Sequence, residues 1–248
     1  MKKLFIITGA NGHLGGTIVR MLNGRPVQVR GLVFGDKKKQ DTGSIHYYSG
    51  DVREPETLRP LFEGCEDMET IVIHTAGIID ISNHVSPELY DVNVNGTKNI
   101  LALCREYPVK RLVYVSSVHA IPEQKRGNVT GEIRDFSPDA VVGGYAKTKA
   151  EATREVRRAA QEGLEIAGAV SGKKKLPVLP LWMAKMAAPF IQLHARRKKR
   201  RPLYTAYSLH VLGTGERFSH KKATEELGYR PRDLKVTIRD MVAEMQGA

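Results

Sequence analysis

The sequence is poor in cysteine: Cys65 and Cys104 are the two thiols among 248 residues, and they lie far apart. Two distant thiols build neither a disulfide framework nor a cysteine-based metal site. They fit a reduced, cytoplasmic protein. Long apolar runs are lacking as well. Leu4-Phe5-Ile6-Ile7 is too short for the apolar region of a signal peptide, and no stretch reaches the length that crosses a bilayer. No internal repeat recurs. Acidic residues thin out along the chain: residues 151–248 hold 20 Lys and Arg against 10 Asp and Glu, while residues 1–150 are nearly balanced. The net charge of +12 therefore sits mostly in the C-terminal part, much of it in Lys173–Lys175 and Arg196–Arg201. Such runs can face nucleic acid or anionic lipid. Solvated helix ends are the simpler reading, and no strong case for a nucleic-acid partner follows. At this length and with 41% apolar residues, the chain fits one large domain, or one domain with a small lobe.

What is present is a glycine-rich turn. Leu4–Ile7 reads as a buried strand, Thr17–Leu22 as a helix, and Thr8-Gly9-Ala10-Asn11-Gly12-His13-Leu14-Gly15 joins them. Glycine permits a tight turn and a close approach of backbone to ligand. Free N–H groups at a helix start, with the positive end of the helix dipole, suit a diphosphate. The candidate residues are Gly9, Asn11, Gly12, His13, Leu14 and Gly15. Alone the turn is a weak signal, because an ordinary strand-to-helix turn looks similar.

The rest of the chain strengthens it. Strands are predicted at Val27–Phe34, Ile45–Tyr48, Thr70–His74 and Arg111–Val115. Helices are predicted at Pro55–Phe62, Pro87–Tyr107 and Gly143–Glu162. Alternating strands and helices imply an α/β fold, a doubly wound parallel sheet of Rossmann type. The loops Thr8–Gly15, Gly35–Asp41, Gly50–Val52, Thr75–Gly77 and Ser116–Ser117 all fall on the edge where such sheets bind ligands.

Chemistry is offered by Tyr145 and Lys149, which share a helix face at i and i+4. An ammonium nearby favours a phenolate, so a tyrosine in this setting can exchange a proton with a substrate oxygen near neutral pH. Ser117, at the end of a strand, can hydrogen-bond the same oxygen.

Together these motifs resemble the extended short-chain dehydrogenase/reductase family, also called the epimerase/dehydratase family, in its dihydroflavonol reductase and 3β-hydroxysteroid dehydrogenase branch. The likeness rests on Thr8–Gly15, Gly50–Val52, His74–Gly77, Asn93-Val94-Asn95-Gly96-Thr97, Val115–Ser117 and Tyr145-x-x-x-Lys149, in that order over residues 3–166. It implies an oxidoreductase that moves a hydride between a nicotinamide and a carbonyl or secondary alcohol. Tyr145 would pass the proton, Lys149 would lower its pKa and hold the ribose, and Ser117 would orient the carbonyl. Asn93 would support the lysine through water. Asp51 and Val52 would meet the adenine, and Thr75, Ala76 and Gly77 would line the cofactor path. Asp36 favours NAD and Lys37, with the two lysines after it, favours NADP; three cations tip the reading slightly to NADP.

The chain departs from the family after the Tyr–Lys helix. Gly163–Ala167 begins like the sixth strand, and the run from Gly168 looks like a much later family region. About a quarter of a usual family chain is missing, with a join in 166–171. A true deletion, a segment absent from the chain as written, and a rebuilt region all fit. The expected division is a Rossmann domain over 1–167 and a truncated, mostly helical substrate lobe over 168–248. An apolar stretch followed by basic residues, 178–201, reads as a helix packed in that lobe; peripheral membrane contact is the less favoured reading. The partners expected are a small carbonyl or alcohol substrate and a second copy in a homodimer. The other functions open at this point are a nucleotide-sugar epimerase or dehydratase, and a cofactor-binding protein without turnover.

Overall fold

The computed structural model describes residues 2–35, 40–123, 129–130, 133–171, 217–233 and 236–237. The chain opens with β1, Lys2–Thr8, and α1, His13–Leu22, followed by β2, Gln28–Val33, and β3, Ile45–Ser49. A short α2, Pro55–Leu58, precedes β4, Met68–His74. Helices α3, Pro87–Tyr90, and α4, Gly96–Glu106, are joined by a π-helical turn at Asp91–Asn95. Then come β5, Val109–Ser117; β6, Val129–Thr130; α5, Gly144–Gln161; β7, Ile166–Ser171; β8, Arg217–Phe218; and α6, Lys221–Leu227.

These elements form two units. The smaller pairs β6 with β8 in parallel and carries α6, which ends on Gly228 in the left-handed conformation. The larger is an all-parallel sheet in the order β3-β2-β1-β4-β5-β7. Its strand order reverses at β1 and β4, and the C-terminal ends of those two strands flank the crevice where open α/β sheets bind ligands.

Alternation along β1 explains the two cores. Leu4 and Ile6 face one side and pack with Leu58, Phe62, Ile100, Leu112 and Val156 from α2, α4, β5 and α5 and the turn after α2. Phe5 and Ile7 face the other and pack with Val19, Val29 and Ile45, under α1. A side-chain period of two on a strand buried on both faces requires this arrangement.

Three predicted elements differ in the structure. The helix from Pro55 stops at Leu58 and tightens into a 3-10 turn, Arg59–Leu61, because Pro60 has no N–H to continue the α pattern. The long helix from Pro87 is interrupted by the π turn, which holds Asn93 in the interior. Strand β7 runs straight through Ala167 and Gly168, pairing Ile166–Ser171 with Leu112–Ser117 in unbroken register. The two apparent family regions thus share one strand. Residues 178–201 lie outside the described residues. Among the described residues no helix is long and apolar enough to cross a membrane.

Candidate active site

The turn between β1 and α1 is built by exclusion of side chains. Gly9 adopts φ 69, and a β-carbon at Gly15 would sit 2.3 Å from the Gly9 carbonyl oxygen. The backbone closes on itself through Gly12 N–H to Gly9 O and Gly16 N–H to Gly12 O, both at 2.9 Å. No side chain caps α1 and no acidic residue stands in its first turn. Asn11, Gly12, His13 and Leu14 are exposed. A helix start with open N–H groups and no competing carboxylate fits a diphosphate.

A buried relay fixes this turn to the loop after β4. Thr8 Oγ1 accepts from the N–H groups of Thr75 (3.2 Å) and Ala76 (3.1 Å) and contacts His74 Nδ1 at 2.7 Å. Thr75 Oγ1 donates back to Thr8 O at 2.6 Å. His74 Nε2 meets Thr97 Oγ1 at 3.1 Å, and that hydroxyl already donates to Asn93 O. Thr97 must therefore accept from His74, which fixes the Nε2–H tautomer and leaves Nδ1 to accept from Thr8. Burial, helped by the Lys149 charge, holds the His74 pKa down at about 3, so the ring is neutral. Gly77 is exposed beside this relay.

Asn93 clamps the loop after β4 to α5. Its Oδ1 accepts from Ile78 N at 2.8 Å, and its Nδ2 donates to Ile78 O at 3.0 Å and Thr148 Oγ1 at 3.1 Å. Its amide is spent on Ile78 and Thr148 rather than turned to Lys149.

The candidate catalytic residues Ser117, Tyr145 and Lys149 meet where β5 joins α5. Ser116 turns inward to Thr153 (Oγ to Oγ1 2.6 Å). Ser117 faces the opposite way, accepting from His119 N at 3.2 Å, with its hydroxyl close enough to the Tyr145 phenol to pull its pKa down. His119 packs edge-on to the Tyr145 ring, centroids 6.1 Å apart. Lys149, only 6% exposed, donates to Val115 O at 2.8 Å. Burial lowers its pKa to about 8. The expected downward pull of Lys149 on Tyr145 is not what governs the phenol here. Burial raises the Tyr145 pKa, the Ser117 hydroxyl opposes that rise, and the Lys149 ammonium is turned to β5.

At the other end of the edge, Arg53 grips Asp51. Its Nε and Nη2 donate to Oδ2 at 2.8 and 2.5 Å, and its backbone N–H donates to Oδ1 at 2.9 Å. Burial works against the Asp51 charge, but this fork holds the carboxyl below its usual range. Val52 packs on Gly96, and its carbonyl accepts from Asn99 Nδ2 at 2.8 Å. The Arg53 guanidinium also lies 5.8 Å from the ring centroid of Phe34, which is 63% exposed at the end of β2. Asp36 and Lys37 lie outside the described residues.

Sequence reasoning did not single out Arg53, which grips Asp51, or His74, which ties the turn to the loop after β4. Nothing in local spacing marks them, because each acts on a group from another element or on a carboxylate two residues away. Among the described residues no cluster of His, Cys, Asp and Glu could hold a metal ion.

Comparisons with known proteins place the chain in a family. Residues 6–169 match the model of the 3-beta hydroxysteroid dehydrogenase/isomerase family. The chain is 32% identical over 165 residues to sterol demethylase protein B of Methylococcus capsulatus, covering 65% of this chain and 48% of that protein. It is 31% identical over 168 residues to a putative dihydroflavonol 4-reductase of Synechocystis, covering 67% of this chain and 48% of that one. The chain thus spans about half the length of the curated relatives it matches. The crystal structure of gox2253 superposes with a TM-score of 0.72 at 21% identity, over 99% of this chain and 98% of that one. At that identity the likeness is one of fold.

Proposed function

Because the chain belongs to the 3-beta hydroxysteroid dehydrogenase/isomerase family, we propose that it is an NAD(P)-dependent oxidoreductase of ketones and secondary alcohols. One observation carries the reading. The Ser117–Tyr145–Lys149 corner stands on the same sheet edge as a glycine cradle that fits a diphosphate.

The nicotinamide, when bound, supplies or accepts the hydride. Ser117 and Tyr145 orient the substrate oxygen between them. Burial keeps the Tyr145 phenol protonated at neutral pH, so it is ready to donate to a carbonyl oxygen. Lys149 remains mostly protonated at pH 7, with its pKa at about 8, and its charge favours the phenolate left behind. Reduction is therefore the direction favoured at neutral pH, and alcohol oxidation gains as pH rises.

The cofactor preference reads as NADP. Phe34 places no carboxylate where a ribose hydroxyl would be gripped, and the Arg53 guanidinium lies over its ring. The substrate reads as an oxygen on an apolar body. The loop after β4 meets the start of α5 through Gly144 N–H to Ser82 O at 3.2 Å. These segments leave Ile79, Val85 and Val142 at least 40% exposed, and the relatives' names, sterol and hydroxysteroid among them, support such a substrate. Cys65 and Cys104, buried and unpaired, support a reducing, cytoplasmic setting.

The test is titration of the purified chain with NADPH and NADH, followed by a screen of apolar ketones and secondary alcohols. The expected result is tighter NADPH binding and turnover that falls with Ser117→Ala. Absence of binding by either nucleotide overturns the reading. Nicotinamide retained through purification without net oxidation points instead to an epimerase.

A further inference from the structure

Lys149 carries its charge with little help from counter-charges. Burial is the cause of its lowered pKa. What it touches is β5. Its ammonium bonds the Val115 carbonyl and stands 4.7 Å from the centroid of the Tyr114 ring. Tyr114 is 1% exposed, so the contact is desolvated, the condition under which a cation over an aromatic face gains most. The titratable groups around it are His74 from β4, Tyr114 from β5 and Tyr145 from its own helix. His74 packs on the Tyr114 ring, centroids 5.8 Å apart. Burial keeps His74 neutral, so no second cation competes for the ring. Burial keeps the Tyr114 phenol neutral as well. Its hydroxyl lies near the Thr153 and Thr97 hydroxyls, which already donate to Lys149 O and Asn93 O, and makes no hydrogen bond of good geometry. What Tyr114 offers Lys149 is its ring.

We propose that the Tyr114 ring is a cation seat, whose π face holds the Lys149 ammonium protonated and fixed on β5 in the free chain, making Tyr114 a positioning residue for the Tyr145–Lys149 pair. The proposal deepens the oxidoreductase reading and rests on it for its kinetic consequence alone. The seat itself belongs to the unliganded chain.

The test follows the Lys149 titration by NMR in the full chain carrying isotope-labelled lysine, with Lys149→Met assigning the signal. Tyr114 is replaced by Phe, then by phenylalanines of increasing fluorination, which keep the ring's shape and drain its π face. Phe is expected to leave the Lys149 midpoint in place. Full fluorination is expected to lower it by about one unit, with intermediate steps between. Tyr114→Leu lowers it at least as far; if that variant does not fold, the fluorinated series still decides. A midpoint that ignores fluorination, or moves as far with Phe as with the fluorinated rings, overturns the seat. A graded midpoint in a chain that binds no nucleotide leaves the seat standing and sinks the oxidoreductase reading. A flat midpoint in an active enzyme does the reverse.

Discussion

The glycine cradle and the tyrosine–lysine corner share one sheet edge but are made of different material. The cradle is backbone. Its residues are defined by what they leave out, and Gly15 has no space for a β-carbon. The corner is side chain. Its groups are defined by burial and by the dipoles around them, with Lys149 lowered to about 8 and the Tyr145 phenol raised. A backbone site tolerates changes of chemistry nearby but no added volume, whereas a side-chain site tolerates small changes of volume but not of polarity. Between them runs the relay from Thr8 through His74 and Thr97 to Asn93 and Thr148.

The largest effect should come from adding volume to the cradle. Gly15→Val drives a side chain into the Gly9 carbonyl, so nucleotide binding should fall below detection, with a stability loss of about 1–3 kcal/mol. Calorimetric titration and thermal unfolding check both. Retained binding would make the cradle's backbone origin untenable. Thr8→Val tests the relay between the two regions. It strips one hydroxyl from His74 Nδ1 and two N–H groups, and should cost about 2–3 kcal/mol in urea unfolding, while Thr8→Ser recovers most of it. Loss in Thr8→Ser with none in Thr8→Val would mean that packing of the methyl group matters and the hydroxyl does not.

A pH experiment sharpens the same comparison. His74 titrates at about 3 when folded against about 6.5 when unfolded. The unfolded chain therefore binds the proton that the folded chain refuses. The stability from this group is complete above about pH 6.5 and is lost as pH falls toward 3, by up to about 5 kcal/mol. Subtracting the stability profile of His74→Gln from that of the wild type should isolate this slope; parallel profiles would contradict the buried neutral ring. The smallest effect is expected far from both regions. Arg111 and Glu165 pair on the surface with both side chains about half exposed, and Arg111→Ala should change stability by less than about 1 kcal/mol.

The sequence disclosed the cradle more fully than the corner, for a physical reason. Strands β1 to β5 and the glycine turn are written in residues adjacent along the chain, so their period and spacing could be read directly. Tyr145 and Lys149 were legible as a pair four residues apart on α5. The surroundings that set their acidity were not. Tyr114 and Val115 reach Lys149 across more than 30 residues, and His74 reaches Thr8 across 66. The π turn that buries Asn93 interrupts what reads as one helix from Pro87. Strand β7 passes through a place where the sequence looks like two family regions joined; pairing with β5, rather than local pattern, decides that it is one strand. Arg53 stands two residues from Asp51 in the sequence, yet only folding shows that its fork occupies the carboxylate.

The division of labour between the two regions is tested most directly by measuring NADPH affinity and carbonyl reduction side by side on the wild type and Tyr145→Phe. The account predicts affinity within about threefold and turnover lower by about 10²–10⁴-fold, the range of a lost general acid. Turnover that survives the loss of the phenol, or affinity that collapses with it, would contradict the assignment of binding to the backbone cradle and of proton transfer to the buried corner.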